Sequence, residues 1–140
     1  MSQYIKKSER LKEITTLLGK DNRYKTIRNR CNDYTHYNFY HNLLANDNEI
    51  HSQNRIRRLN TLHYDLDHIF IQHFAYIFTL HQHYMSSSEY ADSMDLGIPP
   101  EEDSQYWVAP FIQKVFDEVI KIKRPDIANE LKDKTSMHLK

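Results

Sequence analysis

Apolar residues recur at helical spacing along most of the chain, and this pattern predicts helices joined by short interruptions. A first helix is predicted over Ser2–Leu18, and Gly19 stands where a glycine often ends a helix. After a basic segment, Asn32 or Asp33 suits the start of a second helix, because both side chains cap helix N-termini well. Residues 46–48 then predict a turn.

The longest helical pattern starts at Glu49 or His51 and reaches about Met85. His63 and Asp67 lie four residues apart in it, which predicts a buried hydrogen-bonded pair, whereas His68 points away from the apolar side. An apolar stripe of this width normally faces a core, so this helix is predicted to be the centre of a bundle. The stripe consists of Ile56, Leu59, Leu66, Phe70, Phe74, Ile77, Phe78 and Met85.

The chain after the longest helix predicts a loop followed by two more helices. Pro100 suits the start of the first, which is strongly apolar and runs to about Lys123. Pro125 restarts a short last helix, anchored by Ile127 and Leu131. Together these elements predict an all-α fold, a four- to five-helix antiparallel bundle.

The amino-acid composition also favours an all-α fold. Only 2 Gly and 4 Pro occur in 140 residues, too few for the turns of a many-stranded sandwich or barrel. The length predicts a single helical domain over residues 1–140. Cys31 is the only cysteine, which excludes an internal disulfide. The absence of an apolar leader or spanning segment predicts a cytoplasmic protein with no membrane partner.

Charge is unevenly distributed along the chain, although the formal net charge is zero. Residues 1–58 hold 12 Lys and Arg against 6 Asp and Glu, whereas residues 59–113 hold 8 acidic residues and no Lys or Arg. The remaining residues carry 7 basic and 5 acidic side chains. A basic region of this kind attracts phosphate backbones, and segregated charges equally favour self-association.

The sharpest candidate for chemistry is the segment RCNDYTH, in which five residues separate Arg30 from His36. If Asp33 caps a helix, His36 lies in its first turn, where exposed backbone N–H groups favour a bound phosphate. There the imidazole can take a proton from a ribose 2′-hydroxyl while the guanidinium neutralises the charge that develops on phosphorus. Asn32 and Asp33 can orient the imidazole or a phosphate oxygen. Since six residues of helix turn Arg30 about 240° from His36, a helix break or a partner's arginine is needed.

This Arg-x5-His segment resembles the Arg-x(4 to 6)-His signature of the HEPN superfamily, whose all-helical members include ribonuclease toxins and defence effectors. The wider stretch from Ile27 to Asn38 is similar through its Arg-Asn and Asn-Asp pairs. The resemblance implies that Arg30 and His36 line a cleft between two protomers and cleave RNA without metal, leaving a 2′,3′-cyclic phosphate. Arg57 and Arg58 also match the spacing through His63, and both matches are interpreted as accidental because they lie inside one predicted helix.

Residues around the motif predict how RNA is held. The basic side chains of Arg23, Lys25 and Arg28 would contact its backbone, and Tyr37 and Tyr40 would stack on unpaired bases. The same aromatic cluster equally predicts a dimer seam. A homodimer and a protein antitoxin or regulator are therefore expected partners besides RNA.

A second hypothesis is a noncatalytic helical interaction module, or a HEPN-like scaffold, that only binds a protein partner. The chain holds 9 His, yet no Glu-x-x-His or His-x-x-x-His pair occurs, so the sequence predicts no metal site and no cofactor. The two hypotheses differ in whether Arg30 and His36 line an open cleft or are separated and covered.

Overall fold

The computed structural model describes residues 8–35, 52–98, 100–102, 104 and 107–140. These ranges are mostly helical and contain no strand, which confirms the all-α class; an isolated antiparallel bridge joins Ser86 to Val108. No helix within them combines the length and apolar character that crossing a membrane requires. The helices are α1 (Lys12–Gly19), α2 (Arg23–Thr35), α3 (Ser52–Leu80), α4 (Ser88–Asp95), α5 (110–123) and α6 (Pro125–Lys134), with 3-10 turns at Glu9–Leu11 and Gln82–Met85.

The chain divides into two compact units. The terminal unit consists of Met1–Leu17 and Ile71–Lys140, and the central unit of Leu18–Phe70. The boundary near residue 70 falls inside α3, so the first part of that helix belongs to the central unit. The single domain expected from chain length stays a prediction.

The terminal unit holds the apolar core. Ile127 and Leu131 are fully buried in α6, which confirms them as anchors of the last helix. Phe116 and Ile120 begin and end a π-helical turn within α5 and are also fully buried. The largest fully buried side chains of the described residues all belong to this unit: Phe78, Phe116, Leu11, Ile14, Ile71, Ile120, Ile127 and Leu131.

One expected helix end is confirmed and one expected helix start is wrong. The first helix ends at Gly19, although the left-handed conformation is taken by Asn22, at φ 53°, before α2. Pro100 does not start a helix, because α5 begins at Pro110, where proline occupies the first turn and its missing N–H costs nothing. A left-handed glycine does end α4: Gly97 has φ 71°, and Ile98 N–H donates back to Ser93 as in a Schellman motif.

The long helix is confirmed, but only Phe74, Phe78 and Met85 of the eight residues in its apolar stripe are buried. Phe74 and Phe78 lie in the core of the terminal unit, as expected. Leu59, Leu66 and Phe70 in the central unit keep 46–64% of their surface exposed. The prediction that this part of the stripe faces a core is therefore wrong, because α3 here turns a polar face inward.

Glu130 in α6 provides a stability test. Its pKa is raised by burial and by the nearby negative charge of Glu13 in α1. A carboxyl group whose pKa is higher in the folded protein than in the unfolded protein lowers the folding stability at neutral pH. This loss of stability disappears when the pH falls below the pKa in the unfolded protein, near 4.3. We expect Glu130→Gln to raise the thermal midpoint by about 1–2 °C at pH 7 and to change nothing at pH 3.5. Glu118→Gln, at an exposed position of α5, is the control; an equal gain from both variants at pH 7 would contradict this account.

Candidate nucleic-acid site

The central unit brings two arginines of α2 against two polar residues of α3. Arg23, Ile27 and Arg30 share one face of α2 because they follow the helical spacing of four and three residues. Ile27 is buried, and both arginines reach α3. Asp65 and His68, three residues apart on α3, receive them and are themselves buried, at 6% and 4% exposure.

Arg30 is fixed by a bidentate ion pair with Asp65. Its Nε donates to Asp65 Oδ2 at 2.9 Å, and its Nη2 donates to Oδ1 of the same carboxylate. The Asp65 side chain is 9% exposed, whereas that of Arg30 is 32% exposed. The carboxylate therefore determines the orientation of the guanidinium, which still reaches the surface.

His68 lies beside this pair in an aromatic and cationic environment. Arg23 Nη1 lies 3.2 Å from its Nε2 and 3.3 Å from its Nδ1. The Tyr64 ring contacts the imidazole edge-on with a centroid distance of 4.4 Å, and the Arg23 guanidinium lies 5.6 Å from the Tyr64 centroid. A second pair joins Arg23 Nη2 to Asp21 Oδ2 at 2.9 Å. These contacts give Arg23 a structural role in joining α2 to α3.

An open pocket of about 620 Å³ is lined in part by Arg30. A second arginine, Arg57, also lines it. Amides, a hydroxyl and an aromatic ring complete the lining, which suits a phosphate next to a planar base. The lining residues besides these arginines are Gln53, Ile56, Asn60, Thr61 and Tyr64.

The helix start expected at Asn32 or Asp33 is wrong. Both residues lie inside α2, which continues unbroken from Arg23 to Thr35, and both are exposed. Neither caps a helix there, so the phosphate site postulated at the first turn of such a helix has no basis. Asn32 also lies about 160° around α2 from Arg30. The predicted catalytic His36 and the predicted stacking residues Tyr37 and Tyr40 lie outside the described residues.

The other predicted RNA-binding residues lie away from the pocket. Lys25 and Arg28 are exposed, about 140° and 160° around α2 from Arg30. They present positive charge on a different side of the helix. The structure therefore joins Arg30 with Arg57 rather than with the basic residues that are its neighbours in sequence.

Sequence reasoning missed the residues of α3 that build this site. Arg57 was interpreted only as an accidental match to the motif, and Asp65 only as one of several acidic residues. No matching spacing identifies them in the sequence, since Asp65 and His68 are three residues apart on α3 whereas Arg23 and Arg30 are seven residues apart on α2. The apolar periodicity of α3 also predicted that its other side faces inward.

The expected pair of His63 and Asp67 is present but not buried. His63 Nε2 lies 3.4 Å from Asp67 Oδ2, and the imidazole side chain is 76% exposed. The pair is confirmed and its predicted burial is wrong. Among the described residues, no three His, Cys, Asp or Glu side chains are grouped so that they could hold a metal ion.

The chain matches no family model, and no curated protein or solved structure matches it. The likeness to the HEPN superfamily therefore depends on the Arg30 and His36 spacing.

The ion pair predicts that Arg30→Ala destabilises the protein, because it removes two hydrogen bonds from a buried carboxylate. We expect a loss of about 2 kcal/mol, or a thermal midpoint lower by about 6 °C. Adding Asp65→Asn should recover part of this loss, since the neutral amide costs less to bury without a cation. Chemical denaturation of the two single variants and the double variant measures the coupling; additive effects would contradict the pairing.

Proposed function

We propose that this protein is a metal-independent endoribonuclease of HEPN type, a toxin or defence effector that cuts RNA and leaves a 2′,3′-cyclic phosphate. One observation carries the proposal. The buried carboxylate of Asp65 orients the motif arginine Arg30, and Arg30 and a second arginine, Arg57, line the same open pocket. Two arginines that line one pocket suit a phosphodiester, because guanidinium N–H groups bind phosphate oxygens well.

In the proposed reaction, His36 removes the proton of a ribose 2′-hydroxyl, whose oxygen attacks the adjacent phosphorus. Because α2 is unbroken from Arg23 to Thr35, the arginine that acts with this histidine is that of a second copy. The bond from phosphorus to the 5′-oxygen breaks, which gives a cyclic phosphate on one product. The departing 5′-oxygen takes a proton from water to become a hydroxyl, and the protonated His36 returns its proton to solvent. Arg30 stabilises the charge on the phosphorane oxygens, and Asp65 acts as a positioning residue by holding the guanidinium in place. Arg57 is added as a phosphate-binding residue. Tyr64 offers an aromatic edge or face to a neighbouring base.

The proposal also includes the architecture, the oligomeric state and the partners that the sequence predicts. The helices would form a HEPN-like antiparallel bundle of four to five members that works as a homodimer in the cytoplasm. Lys25, Arg28, Tyr37 and Tyr40 would extend the RNA-binding surface. A protein antitoxin or regulator would keep the activity in check.

The test is cleavage of a single-stranded RNA by the purified protein with excess EDTA present. We expect RNA to be cut and DNA of the same sequence to survive, because DNA lacks the 2′-hydroxyl. Mass spectrometry of the products should show 2′,3′-cyclic phosphate ends. Products ending in 3′-hydroxyl groups, or cleavage that EDTA abolishes, would contradict the proposal.

A second candidate function is the noncatalytic interaction module. It is favoured by the apolar side chains that α3 exposes in the central unit, since soluble chains seldom expose such a row without a binding role. A purified protein that cuts no RNA but binds a protein partner would support this alternative.

A further inference from the structure

Two exposed histidines lie side by side where the chain leaves the long helix. α3 ends at Leu80, His81 takes a non-helical conformation at φ −136° and ψ 57°, and the 3-10 turn Gln82–Met85 follows. Within a helix, residues two positions apart point about 160° away from each other. Because the helix ends here, the imidazoles of His81 and His83 instead lie together, with ring centroids 5.9 Å apart and planes at 90°. Both side chains are exposed to solvent.

We propose that His81 and His83 chelate a divalent transition-metal ion of the Cu²⁺, Ni²⁺ and Zn²⁺ class. Imidazole nitrogen is a preferred ligand of these ions, whereas Mg²⁺ and Ca²⁺ prefer oxygen. With metal–nitrogen bonds of about 2.1 Å, two imidazoles on one ion have centroids about 5.3 Å apart at a tetrahedral angle and about 6.5 Å apart on opposite sides. The observed separation of 5.9 Å lies between these limits. It therefore allows both rings to bind one ion once side-chain rotation directs a nitrogen of each toward it, with water completing the coordination.

The backbone around the two histidines is held in place by hydrogen bonds. His81 N–H donates to the carbonyl of Ile77 at 2.7 Å, and the Ser86 hydroxyl donates to the carbonyl of His83 at 2.7 Å. Met85, the last residue of the turn, is buried. Metal binding therefore needs to order only side chains, which lowers the entropy that chelation costs.

Tyr84 adds a third exposed ring to the histidine pair. Its centroid lies 4.1 Å from that of His83 and 5.6 Å from that of His81. This packing restricts the rotamers of both imidazoles and keeps them near each other. Charge in the surrounding sequence also favours a cation, because residues 59–113 contain 8 acidic residues and no Lys or Arg.

The first experiment titrates Ni²⁺ into the untagged protein by isothermal titration calorimetry. We expect one saturable site per chain, and we expect His81→Gln/His83→Gln to bind Ni²⁺ there at least about 100-fold more weakly, because both ligands are lost. His63→Gln/His73→Gln is the matched control, since it removes two exposed imidazoles that lie about 15 Å apart along α3 and cannot share an ion. The control should bind as the wild type does. A wild type without a saturable site up to about 1 mM Ni²⁺, or equal affinities in the two double variants, would overturn the proposal.

A second experiment counts the imidazole ligands. Cu²⁺ is added at about half the molar amount of protein so that it occupies the tightest site, and pulsed electron paramagnetic resonance detects the remote nitrogen of each coordinated imidazole. We expect two imidazoles in the wild type and one in each of His81→Gln and His83→Gln. One imidazole in the wild type, or two in either single variant, would overturn the chelate. The pair belongs to the terminal unit and the RNA cleavage proposed at Arg30 does not use it, so neither result depends on that cleavage.

Discussion

Replacing Arg30 with alanine is expected to lower the rate of RNA cleavage by at least about 100-fold, as is the replacement of His36. In the proposed reaction, the first change removes the donors that stabilise the phosphorane, and the second removes the base that activates the 2′-hydroxyl. Because kcat depends on both groups in the transition state, the loss should appear in kcat rather than in KM. Single-turnover cleavage of a labelled RNA measures it.

The control for this loss must separate chemistry from folding, because Arg30→Ala also leaves the buried Asp65 without its bidentate contact. The double variant Arg30→Ala/Asp65→Asn should regain stability and stay inactive. Arg58→Ala, at an exposed position next to Arg57 but outside the pocket, should retain most of the activity. Recovery of cleavage in the double variant would show that Arg30 acts only through folding.

Arg124→Ala is expected to produce the largest loss of stability. Arg124 is 6% exposed, and its Nε and Nη2 donate to the two carboxylate oxygens of Asp126, each at 2.8 Å. Nη2 also donates to the backbone carbonyl of Leu17 in α1 at 2.9 Å. Its removal leaves these acceptors without their cation, at a cost of about 2–3 kcal/mol in the free energy of unfolding, because the Arg124 side chain is buried whereas Asp126 is 36% exposed and regains water. Urea denaturation at pH 7 measures this cost, and a loss below 1 kcal/mol would contradict it.

The same contact predicts a pH dependence. The hydrogen bonds from Arg124 hold the pKa of Asp126 below its usual value. A carboxyl group whose pKa is lower in the folded protein than in the unfolded protein stabilises the fold when the pH is above its pKa in the unfolded protein, near 3.9. This stabilisation is lost as the pH falls through the pKa in the folded protein. The stability difference between wild type and Arg124→Ala should therefore shrink between pH 5 and pH 2. Arg124→Lys should recover little, because an ammonium group cannot bridge both oxygens.

Apolar periodicity predicted the helices well where long runs of apolar residues repeat. The long helix, the end of α5 at residue 123 and the anchors of α6 follow from spacing alone. Helix ends were less predictable, since Asn32 and Asp33 have good capping side chains yet continue α2. A capping residue favours a helix start only where the preceding residues do not already continue the backbone hydrogen bonds of a helix.

The candidate site could be predicted only in part, because periodicity identifies an apolar face without showing what covers it. Phe74 and Leu66 belong to one stripe, yet Phe74 is buried and Leu66 exposed. The difference arises where Asp65 and His68 meet the arginines of α2 and turn the polar face of α3 inward. Arg30 was identified from its motif, whereas Asp65 and Arg57 required the pairing of two helices that are distant in sequence.

The measurement that tests the central claim most directly is cleavage of one RNA and of its 2′-O-methyl counterpart, with EDTA present, by wild type and by Arg30→Ala/Asp65→Asn. The account predicts that the wild type cuts only the unmodified RNA, to 2′,3′-cyclic phosphate ends, and that the variant, though folded, cuts neither. Equal cutting by both proteins, or no cutting by a folded wild type, would contradict it.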